Sequence, residues 1–235
     1  MEHPTADPHL PRSRRIVEAE AATRRGYSHV HNEDAYMVSL DERLFAIADG
    51  MGGHRDGHIA SRTVITSLQQ RSAAATSLEE RIDNATRALE QANAALFGES
   101  LANPAAGISG STAVALLVGE DYACCLWVGD SRLYLMRNEK LYLISEDHAA
   151  PDGALTRAVG SSAKVDVDRR IVELADGDLF VLCSDGLLKG MGEDELIGIL
   201  CDRRENAADR LLAKSIAGGS VDDITLVLVW VLADD

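Results

Sequence analysis

The sequence predicts an α+β fold, an antiparallel β-sandwich of two sheets flanked by helices on both outer faces. Three observations predict it. Helical and strand patterns are segregated along the 235 residues instead of alternating as βαβ units. Successive strands are joined by short polar turns, such as Gly119-Glu120-Asp121 and Asn138-Glu139-Lys140. The run Ile224–Leu232 is apolar at nearly every position, as a central strand covered on both faces must be.

Each element follows from local pattern. Residues 1–15 hold three of the five prolines and no periodicity, so a mobile N-terminal tail is expected ahead of a single domain over residues 16–235. A first edge strand is expected over 14–20, then strands over 35–40 and 44–48 around the turn Asp41-Glu42-Arg43. Ile59, Val64, Ile65 and Leu68 make one helical stripe, and Ile82, Ala85, Leu89, Ala92 and Leu96 make a second. Ser77 with Glu80 three residues on forms a capping box for that second helix. Residues 98–110, with Asn103-Pro104, read as a connection. Strands follow over 112–118, 122–128, 133–137, 141–144, 169–174 and 179–183, and short helices over 193–201 and 206–217 precede the last strand.

Composition narrows the partners. The 38 acidic residues outnumber the 23 basic ones, a net charge of −15, and a field of that sign repels nucleic acid and anionic membranes. The longest apolar run falls far short of the roughly 20 residues a membrane helix needs, and Met1-Glu2-His3-Pro4 lacks a signal-peptide pattern. A cytoplasmic protein is expected. Cys124, Cys125, Cys183 and Cys201 include no CxxC pair and read as reduced packing residues, the adjacent two facing opposite sides of one strand.

The informative residues are acids where apolar strands meet loops. Glu33-Asp34 precedes a strand, Asp49 follows Phe45-Ala46-Ile47-Ala48, and Asp130 follows Leu126-Trp127-Val128-Gly129. Asp185 follows Phe180-Val181-Leu182-Cys183-Ser184, and Asp222-Asp223 precedes the terminal strand. One such Asp is an ordinary turn former. Five at strand ends can converge on one edge of a sandwich, where they repel unless cations neutralise them. Oxygen donors without a His or Cys cluster select hard ions such as Mg²⁺ or Mn²⁺. The string Asp49-Gly50-Met51-Gly52-Gly53 lets backbone approach an ion closely, with the Gly50 carbonyl as one donor.

Seven strings, in order, resemble the metal-dependent protein phosphatases of type 2C in their bacterial form. They are His31-Asn32-Glu33-Asp34-Ala35, Ala48-Asp49-Gly50-Met51-Gly52-Gly53-His54, Ser109-Gly110-Ser111-Thr112-Ala113 and Val128-Gly129-Asp130-Ser131-Arg132. Thr156-Arg157-Ala158, Cys183-Ser184-Asp185-Gly186-Leu187 and Asp222-Asp223-Ile224-Thr225 complete the set. The resemblance implies a protein serine/threonine phosphatase that uses two Mn²⁺ or Mg²⁺ ions and attack by hydroxide bridging them. It implies that Asp49 bridges both metals and that Gly50 and Glu33 serve the second, with Asp34 beside Glu33. Asp185 and Asp222 would hold the first, and Asp130 with Asp185 a third, weaker site. Thr112 and Ser131 match structural members of their motifs. The implied substrates are phosphorylated Ser/Thr proteins, among them kinase substrates, acted on by a monomer in signalling.

Three departures qualify the match. His29 stands where the family has a phosphate-binding Arg; it would bind phosphate without the fixed fork of Arg, with Arg24 or Arg25 as substitutes. Lys189 stands where an acid is often found, removing a carboxylate from the third metal position, and Asp223 replaces the usual Asn. The flap that relatives carry before Thr-Arg-Ala is cut to residues 149–155, which predicts an open site. Two other readings follow from these departures: a weakened phosphatase fold that binds phosphoprotein partners, and a small-molecule phosphohydrolase.

Overall fold

In the computed structural model, residues 15–27, 29–52, 57–71, 77–202 and 205–234 are described. Of the expected tail, residues 1–14 lie outside them, as do Gly53 and His54 of the second motif.

One sheet contains β1 (Ile16–Arg24), β7 (Arg132–Arg137), β8 (Lys140–Leu143), β10 (Asp178–Cys183) and β11 (Ile224–Leu232), in the order β1-β11-β10-β7-β8. The other contains β2 (Asp34–Ser39), β3 (Leu44–Gly52), β5 (Ala113–Val118), β6 (Tyr122–Val128) and β9 (Asp168–Glu173), in the order β2-β3-β5-β6-β9, with β4 (Ser109–Ser111) also paired to β3. All pairings are antiparallel. β11 lies between β1 and β10, the central place that its apolar faces predict.

Strand alternation sorts the side chains into three apolar layers. Phe45, Ile47, Val114, Leu116, Leu133, Phe180, Val227 and Val229 fill the space between the sheets. Ala46, Ala48, Ala115 and Leu117 face outward onto α1 (Gly57–Arg71) and α2 (Leu78–Ala102). Val181, Cys183, Leu226 and Leu228 face outward onto α4 (Glu193–Cys201) and α5 (Ala207–Ala217). Cys124 and Cys125 fall into different layers, as adjacent strand residues must. The result is the four-layer α-β-β-α sandwich that the pattern predicts.

Local chemistry explains the helices. The Ser77 side chain accepts from Glu80 N at 3.2 Å while the Glu80 carboxylate accepts from Ser77 N at 3.4 Å, closing the predicted box at the start of α2. Ile82, Ala85, Leu89, Ala92 and Leu96 are all buried. Three expectations are corrected. Ile59 is 45% exposed; the inward stripe of α1 runs through Ala60, Ser61, Val64, Ile65 and Leu68. Residues 98–110 are not one loop, because α2 continues through Gly98 to Ala102 before a 3₁₀ turn (Pro104–Ala106) and β4. A short helix not foreseen, α3 (Asp185–Lys189), begins at Asp185 itself.

Candidate active site

Strand pairing carries the acids to one edge of the sandwich. Asp34 and Asp49 are direct partners across β2 and β3. Thr112 N donates to Asp49 O at 2.8 Å, and Ala113 pairs with Val128, bringing the end of β6 and Asp130 alongside. In the other sheet Cys183 pairs with both Arg132 and Leu226, so Asp185 and Asp222 leave neighbouring strand ends. Ser184 joins the sheets: its hydroxyl donates to Asp34 Oδ2 at 2.8 Å, and Thr225 N donates to Ser184 Oγ at 3.0 Å.

The electrostatics are those of crowded carboxylates. Burial, reinforced by Asp34, Asp185, Asp222 and Asp130, pushes the Asp49 carboxyl well above its ordinary range. Burial pushes Asp34 up to about 7, against hydrogen bonds from Thr225 and Ser184, with Asp223 and Asp185 adding repulsion. Asp130 rises to about 6, through burial and then Asp185. Glu33 is also raised, chiefly by burial.

Several features fit a hard cation. The donors are oxygens, and Asp34 Oδ1 is buried without a hydrogen-bond partner. Gly50 is obligatory: a Cβ there would stand 1.9 Å from Gly57 O and 2.8 Å from Glu33 O, so β3 and the start of α1 meet backbone to backbone. Glu33 O accepts from Gly50 N at 3.0 Å, tying the first two motifs together. Thr112 Oγ1 accepts from Asp49 N at 3.0 Å and lies 2.7 Å from Ser131 Oγ, so the hydroxyls assigned no chemistry brace the backbone beneath the acids.

Around the rim, Asp223 is a hub that sequence reasoning undervalued. Its buried carboxylate accepts from Gly26 N at 2.6 Å and Glu33 N at 2.7 Å and lies 2.8 Å from His29 Nδ1. His29, Asp222 and Asp223 offer ligand atoms all within 4.8 Å of one another. His29 is therefore beside the acids, though held by Asp223. Partial burial works against its charged form, but hydrogen bonding and charge from Asp223, then Glu33 and Asp222, leave its pKa raised. Arg24 reaches the Tyr27 hydroxyl at 2.7 Å, and Arg25 donates to His29 O. Lys189 was also undervalued: its Nζ lies 2.6 Å from Asp185 Oδ2 and 2.5 Å from Asp222 Oδ2. The shortened segment 149–155 closes as a tight hairpin, with Ala150 N donating to Ala154 O and Thr156 N to His148 O, both at 2.8 Å. A cavity of about 740 Å³, lined by Trp230, Leu179, Met136 and Glu18 among others, is on the outer face at the opposite end of the sheet and belongs to none of this chemistry.

Residues 24–217 match the sequence profile of the protein phosphatase 2C family. The chain belongs to that family. A serine/threonine phosphatase, stp, of Listeria monocytogenes is 30% identical over 240 residues, covering 91% of this chain and 95% of its own. The solved structure of PppA, a regulatory component of the type VI secretion system in Pseudomonas aeruginosa, is 30% identical with a TM-score of 0.86, covering 93% of this chain and all of PppA. The catalytic domain of the serine/threonine phosphatase PstP, solved with two manganese ions, is 29% identical with a TM-score of 0.82, covering 93% of this chain and 99% of that domain. As a protein phosphatase 2C, this chain is a phosphatase of serine/threonine type, and the fold and activity that the motifs imply stand. No helix among the described residues is long and apolar enough to cross a membrane.

Proposed function

We propose that residues 16–235 act as one catalytic domain, which removes phosphate from phosphoserine and phosphothreonine in proteins at the carboxylate edge. The observation that carries the proposal is the convergence of Asp34, Asp49, Asp130, Asp185 and Asp222 from both sheets, where burial and mutual repulsion raise the pKa values of Asp34, Asp49 and Asp130 and a cation would relieve that repulsion. Asp49, Asp185 and Asp222 are the residues on which activity depends most. With Glu33, Asp34, Asp130 and the Gly50 carbonyl they would hold two Mn²⁺ or Mg²⁺ ions, as PstP holds two manganese ions. When bound, such ions supply Lewis acidity towards water and the phosphoryl oxygens.

The chain's own residues do the rest. Thr112 and Ser131 fix the Asp49 backbone, Ser184 orients Asp34, and Asp223 fixes the loop carrying His29 and Glu33. His29, on the rim, supplies a cationic N–H to substrate phosphate in place of an Arg fork. Because 149–155 is only a tight hairpin, access is open and phosphopeptides of varied sequence should be accepted. Kinase substrates are the natural partners, and we place the enzyme in signalling, as a monomer, in the bacterial cytoplasm. The test is turnover of a phosphothreonine peptide after exhaustive chelation, after Mn²⁺ is restored, and in Asp49→Asn. We expect activity only in the restored wild type, with Asp49→Asn down by a hundredfold or more and folded by circular dichroism. Full activity under chelation, or in Asp49→Asn, overturns the proposal. The hold of Asp223 on His29 favours a second reading, a phosphoprotein-binding module, which would show peptide binding without turnover.

A further inference from the structure

The Lys189 side chain is delivered to the acids from a braced position. Gly190 ends α3 with its Cα so close to the next segment that a Cβ would stand 1.9 Å from Ser215 O. Ser215 Oγ donates to Leu187 O at 2.8 Å and Ser220 Oγ donates to Gly186 O at 2.8 Å, so both hydroxyls fasten the same five-residue turn. Gly186 in turn lies against Asp223 O, which a Cβ would meet at 1.9 Å. From this turn the ammonium reaches Asp185 one helical turn back and Asp222 across the gap, at 2.6 and 2.5 Å. The other oxygen of Asp222 accepts from Asp223 N at 2.9 Å. Two carboxylates proposed above as metal donors thus already share one fixed positive charge.

We propose that Lys189 is a resident cation of this centre: its ammonium joins Asp185 to Asp222 when metal is absent and weakens divalent-cation binding beside them. The inference rests on the metal reading of the same site. An ammonium carries one charge where Mn²⁺ carries two, and it uses an oxygen of each carboxylate. An incoming ion therefore meets a neighbouring like charge and must draw Asp185 and Asp222 away from a partner. The side chain is about half exposed, so solvent screens part of this effect, and a shift on the order of tenfold in affinity is expected. The same ammonium should make the metal-free protein less fragile, because without it the two carboxylates face each other uncompensated.

The experiment compares wild type, Lys189→Met and Lys189→Arg, using the full chain. Mn²⁺ dissociation constants are measured by titration calorimetry well below the melting temperature, and melting temperatures are measured in chelator. Lys189→Met should bind Mn²⁺ about tenfold more tightly yet melt lower than wild type when metal-free. Lys189→Arg, which keeps the charge, should stay near wild type in both. Equal or weaker Mn²⁺ binding by a folded Lys189→Met, or an unchanged metal-free melt, overturns this inference alone. Failure of every form to bind Mn²⁺ overturns the metal reading with it.

Discussion

Asp34 makes the metal-free protein lose stability as the solution becomes more alkaline. Its carboxyl is buried, one oxygen has no partner, and its pKa is raised from 3.8 to about 7. A raised carboxyl pKa means that the folded chain holds a proton that the unfolded chain has released, so stability is intact below the unfolded value and falls as pH rises towards 7. A shift of about three units at roughly 1.4 kcal/mol each corresponds to about 4 kcal/mol in full. Between pH 5 and pH 8 the share lost is about 2 to 3 kcal/mol. The perturbation is Asp34→Asn, whose amide oxygen can still accept from Ser184 Oγ. The assay is urea unfolding of the chelated proteins at pH 5, 6, 7 and 8. The stability of the wild type minus that of Asp34→Asn should shift against the wild type by about 2 to 3 kcal/mol over that range. Parallel curves would refute the reasoning, because they would mean that Asp34 releases its proton in the folded state as easily as in the unfolded one.

Other outcomes follow from particular contacts. His29→Ala should raise KM several-fold with less effect on kcat, and His29→Arg should lower KM; unchanged KM in both would remove His29 from phosphate binding. Because the His29 pKa is raised, the charged ring persists above its usual 6.5, and the KM of the wild type, but not of His29→Arg, should climb as pH passes above that raised value. Although slight burial opposes it, Asp168 is held below its ordinary pKa by Arg157 at 2.8 Å and His148 at 3.1 Å. Its contribution is present above about pH 4 and lost as acid protonates it, so the melting-temperature gap between wild type and Asp168→Asn should close below that pH. Ser77→Ala removes a capping acceptor and should cost about 1 kcal/mol in urea unfolding, with activity unchanged.

Much of the fold is written in short-range pattern. The turn Asp41-Glu42-Arg43 and the apolar run of β11 are visible because period and punctuation coincide. So is the Ser77–Glu80 box, because its two partners are three residues apart. The end of α2 is less visible: Gly98 suggests a break, but one exposed glycine costs a helix only about 1 kcal/mol, and the packing of Leu96 outweighs it. The five residues of α3 are too few to show a helical period. Ile59 satisfies the period of α1 yet faces outward, since a stripe read from four residues leaves its direction open by one position. At the site, the acids announce themselves as residue types. Their mutual arrangement, the Asp223 hub and the bridge from Lys189 to Asp222 do not, because each depends on contacts between segments tens to hundreds of residues apart.

The pairing of β1 with β11 also sets a schedule. Among the described strands β1 has no other neighbour, and its register runs from Ile16 against Leu232 to Arg24 against Ile224. During synthesis β1, the earliest of the described strands to be made, waits for β11, the latest of them, before it has a partner. Asp222 and Asp223 arrive with that same late segment. A nascent chain that has already completed β2 to β10 therefore has an open edge, and under the site proposed above it would lack Asp222 until β11 closes the sheet. Late closure of this kind makes folding slow and leaves the waiting edge to be shielded meanwhile.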